Sequence, residues 1–169
     1  MMTLKDIDLK IIFELMKNSK TSDRQLANKL GVSQPTITRR RGRLEDGAIE
    51  GYTTIPAWKE IGYEIFAITL YSINQDIGLQ SKAKTSRKRA KEWLMSHPNV
   101  IMGGGGRGGA GMEGFMITIH KNYSDFESFM VRHRREVGDL VNSQQTFVVN
   151  LGGSLVLKPF HLKYLADAP

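Results

Sequence analysis

Ser22-Asp-Arg-Gln25-Leu-Ala-Asn-Lys-Leu-Gly31-Val-Ser33-Gln34-Pro35-Thr36-Ile37-Thr38-Arg39-Arg40-Arg41-Gly42-Arg43-Leu44 decides the first half of the fold. Ser22 and Gln25 stand at capping-box spacing, where each side chain satisfies an otherwise orphaned N–H at a helix start. Leu26, Ala27 and Leu30 follow at helical spacing, and Gly31 supplies the left-handed residue that ends a helix. Ser33 then opens another helix, with Pro35 in its first turn, where a missing N–H costs little. Two short helices joined through Gly31-Val-Ser33 predict a helix-turn-helix.

Upstream, Thr3-Leu-Lys-Asp6 has capping-box spacing too, and Leu4, Ile7, Ile11, Ile12 and Leu15 make a first helix. Gly47 ends the third helix, and Ile49–Thr54 predicts a short β-wing closed by Pro56. On the third helix Ile37 and Leu44 point inward, so Thr36, Arg39 and Arg43 point outward, flanked by Thr38 and Arg40. One face packs while the other offers forked donors, the layout that reading duplex DNA needs. Arginine binds guanine O6/N7 bidentately, and Gln34 matches adenine. Ser22 and Ser33, at helix N-termini, suit phosphates. The plain alternative is a solvated basic face.

The second half alternates differently. Strands are expected at Tyr63–Ser72, Val100–Met102, Phe115–His120 and Thr146–Asn150. Helices are expected at Leu79–Ser96, with Leu79, Ala83, Ala90, Trp93 and Leu94 inward, and from a Ser124–Glu127 capping box onward. Leu155–Leu157 extends or follows the last strand, and His161–Ala166 makes a terminal helical turn. The order is βαββαβ, a ferredoxin-like split βαβ. The fold class is therefore α+β, an N-terminal winged helix-turn-helix over 1–56, a linker over 57–62 and a ferredoxin-like domain over 63–169.

Composition agrees. Among 169 residues, 24 Lys and Arg against 17 Asp and Glu leave a net charge of +7, which suits a polyanionic partner. There is no cysteine, which excludes disulfides, thiolate zinc sites, iron–sulfur clusters and cysteine nucleophiles. The start lacks the apolar run of a signal peptide, and Ile65–Tyr71 is far short of the ~20 residues that span a bilayer, so a cytoplasmic protein without a membrane partner is expected. His97, His120, His133 and His161 lack metal-ligand spacing, and no cofactor is expected.

Ile7–Leu15, Gln25–Ser33, Thr38-Arg-Arg, Arg43-Leu-Glu45 and Ile49-Glu-Gly-Tyr52 together resemble the Lrp/AsnC family of transcription regulators. The second half matches by element order, by His97-Pro-Asn-Val100 and by Gln145-Thr146. The resemblance implies a winged helix-turn-helix for double-stranded DNA and a ligand-sensing, dimerising domain behind it. It also implies a homodimer paired through the sheet, assembling into tetramers or octamers. Arg41 departs from it, standing on the inward stripe with its guanidinium expected to snorkel toward the DNA groove.

Gly103–Gly111 holds seven glycines in nine residues, interrupted by Arg107 and Ala110. Gly104-x-Gly106-x-x-Gly109 spells a dinucleotide fingerprint, but a strand follows where the pyrophosphate needs a helix N-terminus. In the resembled family this hairpin lies at the effector pocket. The resemblance thus implies an amino-acid effector at Gly109, Gly111, Met112 and Glu113. Gly111 and Phe115 match the family pattern there; Met112 and Gly114 replace its two acidic residues, leaving Glu113. A hairpin without a ligand is the open alternative. A basic run, Lys82, Lys84, Arg87, Lys88, Arg89 and Lys91, is read as a solvated face or an added DNA contact.

Two rivals from other classes stay open. One is a nucleoid-type architectural protein that binds DNA with little sequence preference. The other is a siroheme-decarboxylase-like enzyme, whose signature His120-Lys-Asn-Tyr123 only approaches. The expectation is a sequence-specific DNA-binding regulator and not an enzyme.

Overall fold

The computed structural model describes residues 3–74, 80–154 and 156–167. It divides into two compact units. One runs up to Ile55 and takes in the chain from Pro159 onward; the other runs from Pro56 to Lys158.

The first unit is built on α1 (Asp6–Lys17), α2 (Asp23–Leu30) and α3 (Gln34–Glu45). Ile11, Leu15, Leu26, Ala27, Ile37 and Leu44 form its core. The Ser22 box forms: Ser22 N–H donates to Gln25 Oε1 at 2.9 Å, and Gln25 N–H donates to Ser22 Oγ at 3.3 Å. Gly31 sits at φ +66°, a conformation open to glycine at no steric cost. The start of α1 differs from expectation. Its N-cap is Lys5, not Thr3, and the Lys5 N–H donates to Asp8 Oδ2 at 2.9 Å. Asp8 outcompetes the Thr3 box because Arg40 and Arg43 on α3 also hold its carboxylate. Residues 49–57 form no strand, so the β-wing expected over Ile49–Thr54 lacks a ladder partner.

The C-terminal stretch also departs from the expected division, which placed everything from 63 to 169 in one domain. A 3₁₀ turn at Leu162–Asp167 packs against α1, burying Ala166. Lys17 Nζ meets Asp167 Oδ1 at 2.9 Å.

The second unit contains β1 (Ile65–Ile73), α4 (Gln80–Ser96), β2 (Val100–Gly105), β3 (Gly114–His120), α5 (Tyr123–Val137) and β4 (Val141–Asn150). The strands form one antiparallel sheet in the order β2-β3-β1-β4, the ferredoxin-like arrangement. Ile65, Ala67 and Tyr71 face the core with Trp93, Met116, Phe126, Phe129, Met130 and Val137. The stretch expected as a linker over 57–62 contains a 3₁₀ turn, Trp58–Ile61, that closes on Gly62.

Several bounds shift. β2 runs on into the glycines to Gly105, because pairing with β3 compensates their weak strand propensity. At Gly103 a Cβ would come within 3.1 Å of Leu94 Cδ2, so any larger residue there displaces that side chain by a few tenths of an ångström. β4 starts at Val141, five residues before Thr146, since β1 offers partners along its whole length. The cap of α5 is Asn122, not Ser124. Its Oδ1 accepts the Asp125 N–H at 2.9 Å, while Asp125 Oδ2 accepts the Lys121 N–H at 3.0 Å. Of the inward residues expected on α4, Ala90, Trp93 and Leu94 lie at least half-buried; Leu79 and the side chain of Ala83, like Leu155, lie outside the described residues. No helix among the described residues is long and apolar enough to cross a membrane.

Candidate nucleic-acid interface

Two fully buried residues, Ile37 and Leu44, pin one side of α3 to α1 and α2. The opposite side carries the expected residues. Gln34, Thr38, Arg39 and Arg43 are exposed and Thr36 is half-buried. Arg39 has no hydrogen-bond or ion-pair partner among the described residues. Its guanidinium, with five donors, faces water on a helix surface held rigid from behind.

The other arginines are committed. Arg40 Nη1 donates to Asp8 Oδ1 at 2.8 Å, and Arg43 Nη2 to Asp8 Oδ2 at 3.3 Å. Asp8 is wholly buried, whereas Arg43 remains 51% exposed and so keeps donors free for another partner. Arg40 is only 18% exposed, and its Nε is buried with no hydrogen-bond partner. Reaching a base edge would cost Arg40 its Asp8 pair and leave a buried carboxylate half-compensated. Burial pushes the Asp8 carboxyl up, but the Lys5 N–H, Arg40 and Arg43 together outweigh it and hold it below the ordinary 3.8.

Arg41 does not snorkel to the groove. Its Nη1 donates to the Thr21 carbonyl and to Asp23 Oδ1, both at 3.2 Å. Its Nε reaches Glu45 Oε1 at 2.9 Å and the Tyr52 hydroxyl at 3.2 Å. Tyr52 in turn donates to Glu45 Oε1 at 2.7 Å, which ties the segment after α3 to the helix in place of a strand ladder. Thr38 Oγ1 donates to Asp23 Oδ2 at 2.6 Å, and Ser33 Oγ pairs with Thr36 Oγ1 at 2.8 Å. Ser22 is occupied by its capping box. Asp8 was invisible as a site residue: its partners lie more than thirty positions away, and only the Lys5–Asp8 spacing hints at its role.

The expected effector residues sit on the hairpin joining β2 to β3. Met112 is buried and Glu113 is exposed. The hairpin closes on itself: Gly106 N–H donates to the Glu113 carbonyl at 2.8 Å, Gly108 N–H to the Met112 carbonyl at 2.7 Å, and Met112 N–H to the Gly109 carbonyl at 3.2 Å. Ala110 and Gly111 take φ +56° and +72° at the tip. The Glu113 carboxylate is unpartnered among the described residues, so it is the one charge the hairpin offers a cation. A separate cavity of about 280 Å³ lies between the end of α5 and the start of β4, lined by His133, Arg134, Val141, Asn142 and Gln144 among others.

Two histidines are buried in the second unit, and His97 packs beside them half-buried. His133 stacks on Tyr71 with centroids 5.2 Å apart and meets Trp93 edge-on at 5.1 Å. Burial, helped by His97 and Arg134, pushes its pKa down to about 4. His120 is fully buried and pairs with Thr118 Oγ1 at 2.8 Å; burial lowers its pKa as well. His97 stacks on Trp93 at 4.1 Å. No group of three or more potential metal ligands occurs among the described residues.

A family described as winged helix-turn-helix DNA-binding matches residues 4–47. An uncharacterised HTH-type transcriptional regulator of Pyrococcus furiosus is 36% identical over 52% of this chain and 54% of its own. The match thus spans about half the length of that relative. The HTH-type transcriptional regulator LrpC of Bacillus subtilis is 32% identical over 59% of this chain and 63% of its own. Its solved structure superposes with a TM-score of 0.69, covering 93% of this chain and 100% of LrpC at 24% identity. A transcriptional regulator of Neisseria meningitidis, solved as an L-Met complex, superposes with a TM-score of 0.73 at 20% identity, covering 87% of this chain and 90% of that one.

Proposed function

We propose, for a chain that belongs to the Lrp/AsnC family, that it regulates transcription by binding double-stranded DNA at specific sequences through α3. One observation carries this: Arg39 stands exposed and unpaired among the described residues on the outer face of a helix whose inner face, Ile37 and Leu44, is locked into a core. Arg39, Thr36 and Gln34 read base edges. Arg43 spans Asp8 and a phosphate. Ser22, Ser33 and Thr38, at or near helix starts, line the backbone. Arg40, bonded inward, aims the helix and touches a base only if it leaves Asp8.

The active form is a homodimer or a higher assembly. Phe66, Ile68, Leu70, Phe147 and Val149 alternate with the core residues and so share the sheet face turned away from Trp93 and Phe129. Phe147 is 69% exposed, and an apolar face of this kind marks an interface. An amino-acid effector binds at the hairpin, its ammonium on Glu113 and its remaining atoms along Gly109, Gly111 and Met112. The L-Met complex of the Neisseria meningitidis protein supports that ligand class.

Selection of bound duplexes from a random pool tests the reading. A two-fold symmetric motif, with half-sites separated by whole turns of ~10 bp, is expected. Recovery of unrelated sequences would instead support the architectural reading, which the +7 net charge favours.

A further inference from the structure

Helix α4 holds most of the surplus charge of the chain. Lys82, Lys84, Arg87, Lys88, Arg89 and Lys91 stand against Glu92 alone, an excess of five where the whole chain has +7. These charges have different fates. Arg89 forks onto both Asp139 oxygens and onto the Glu136 carbonyl, so it serves the α4–α5 packing. Lys84, Arg87, Lys88 and Lys91 are exposed. Their spacing, three, four and seven residues on from Lys84, puts all four on one side of the helix. Within that stripe the one acidic contact among the described residues is the 3.8 Å approach of Lys88 to Glu92, between side chains 77% and 66% exposed. Such a pair contributes little and is readily exchanged.

We propose that this stripe is a second DNA-contacting surface, one that grips phosphates without reading sequence. It rests on the DNA-binding reading above. The stripe spans roughly 10 Å at 1.5 Å per residue, and a duplex carries one charge per ~1.7 Å of axis, so several phosphates face it. Three of the four groups are lysines, flexible point charges suited to phosphate contact and poorly suited to bidentate base readout. Other polyanions fit less well. Trp93 is buried beneath the stripe and Met95 is the one exposed large apolar residue of the described α4 side chains, so the helix has no apolar face to enter a membrane. It has no exposed aromatic residue on which single-stranded bases would stack.

The test compares wild type, the Lys84→Gln/Arg87→Gln/Lys88→Gln/Lys91→Gln variant and Arg39→Ala on a selected duplex and on its scrambled counterpart across a salt series. Unchanged circular dichroism verifies the fold of each variant. The fourfold variant is expected to lower the slope of log K against log salt by about 3 on both duplexes, leaving the ratio of the two affinities intact. Arg39→Ala is expected to do the opposite, lowering the ratio while leaving the scrambled-duplex slope in place. Wild-type slopes in the fourfold variant overturn the proposal. So does a loss confined to the selected duplex. If Arg39→Ala leaves the ratio unchanged while the fourfold variant lowers both slopes, the recognition role of α3 falls and the α4 surface stands.

Discussion

Asp8, on α1, organises the outer face of α3 by direct contact. Its carboxylate accepts from the Lys5 N–H, Arg40 and Arg43, and no water reaches it. Asp8→Asn would leave the Arg40 guanidinium, already short of one partner at Nε, as an uncompensated buried charge. A loss of about 3 kcal/mol is expected, read by urea unfolding, with weaker DNA binding as a consequence. Arg39 contrasts with it, because nothing in the fold depends on that side chain. Arg39→Ala is expected to melt like wild type yet lose ~1–3 kcal/mol of specific binding and relax the preference at one base pair. The outward arginines were legible from spacing, since a helical period sorts inside from outside. Which of them were free was not legible, because that depends on Asp8, Asp23 and Tyr52 arriving from other segments.

At the scale of elements, α3 carries a correctable weakness. Gly42 lies in its interior, and a Cβ there meets nothing within 4 Å. Gly42→Ala should therefore raise stability by about 1 kcal/mol, seen as a higher Tm with DNA affinity kept. A lower Tm would mean that the helix bends at this position in a way the geometry does not record. Elements with strong periodicity and caps, such as α2 with Ser22 and Gly31, were readable from the chain. Those decided by pairing were not. The strand β2 crosses residues with low strand propensity because β3 supplies its ladder, and β4 begins early because β1 extends to meet it. The segment 49–54 had strand-like residues but found no ladder, and Tyr52 instead bonds Glu45 and Arg41.

For the whole molecule, the buried histidines set a pH dependence. His133 has a folded pKa of about 4 against an ordinary 6.5. The unfolded chain therefore takes up this proton first, so the stabilisation is complete above pH 6.5 and is lost as pH falls toward 4. The shift corresponds to about 3 kcal/mol at most. His133→Phe keeps the stacking on Tyr71 and Trp93, and its urea midpoint should fall less than that of wild type across this window; equal falls would place the sensitivity elsewhere. The exposed sheet face makes a second prediction. Phe147→Glu should halve the mass measured by light scattering while leaving the fold intact, and an unchanged mass would remove that face from the interface. The ferredoxin-like order was legible from alternation, whereas the return of residues 159–167 to α1 was not, because it rests on the tertiary burial of Ala166.

The most direct test of DNA recognition is a titration of the protein against the DNA upstream of its own gene and against a scrambled duplex, at one near-physiological salt concentration. A preference of ~10³-fold or more for the upstream DNA is predicted. Equal, steeply salt-dependent binding to both would contradict it.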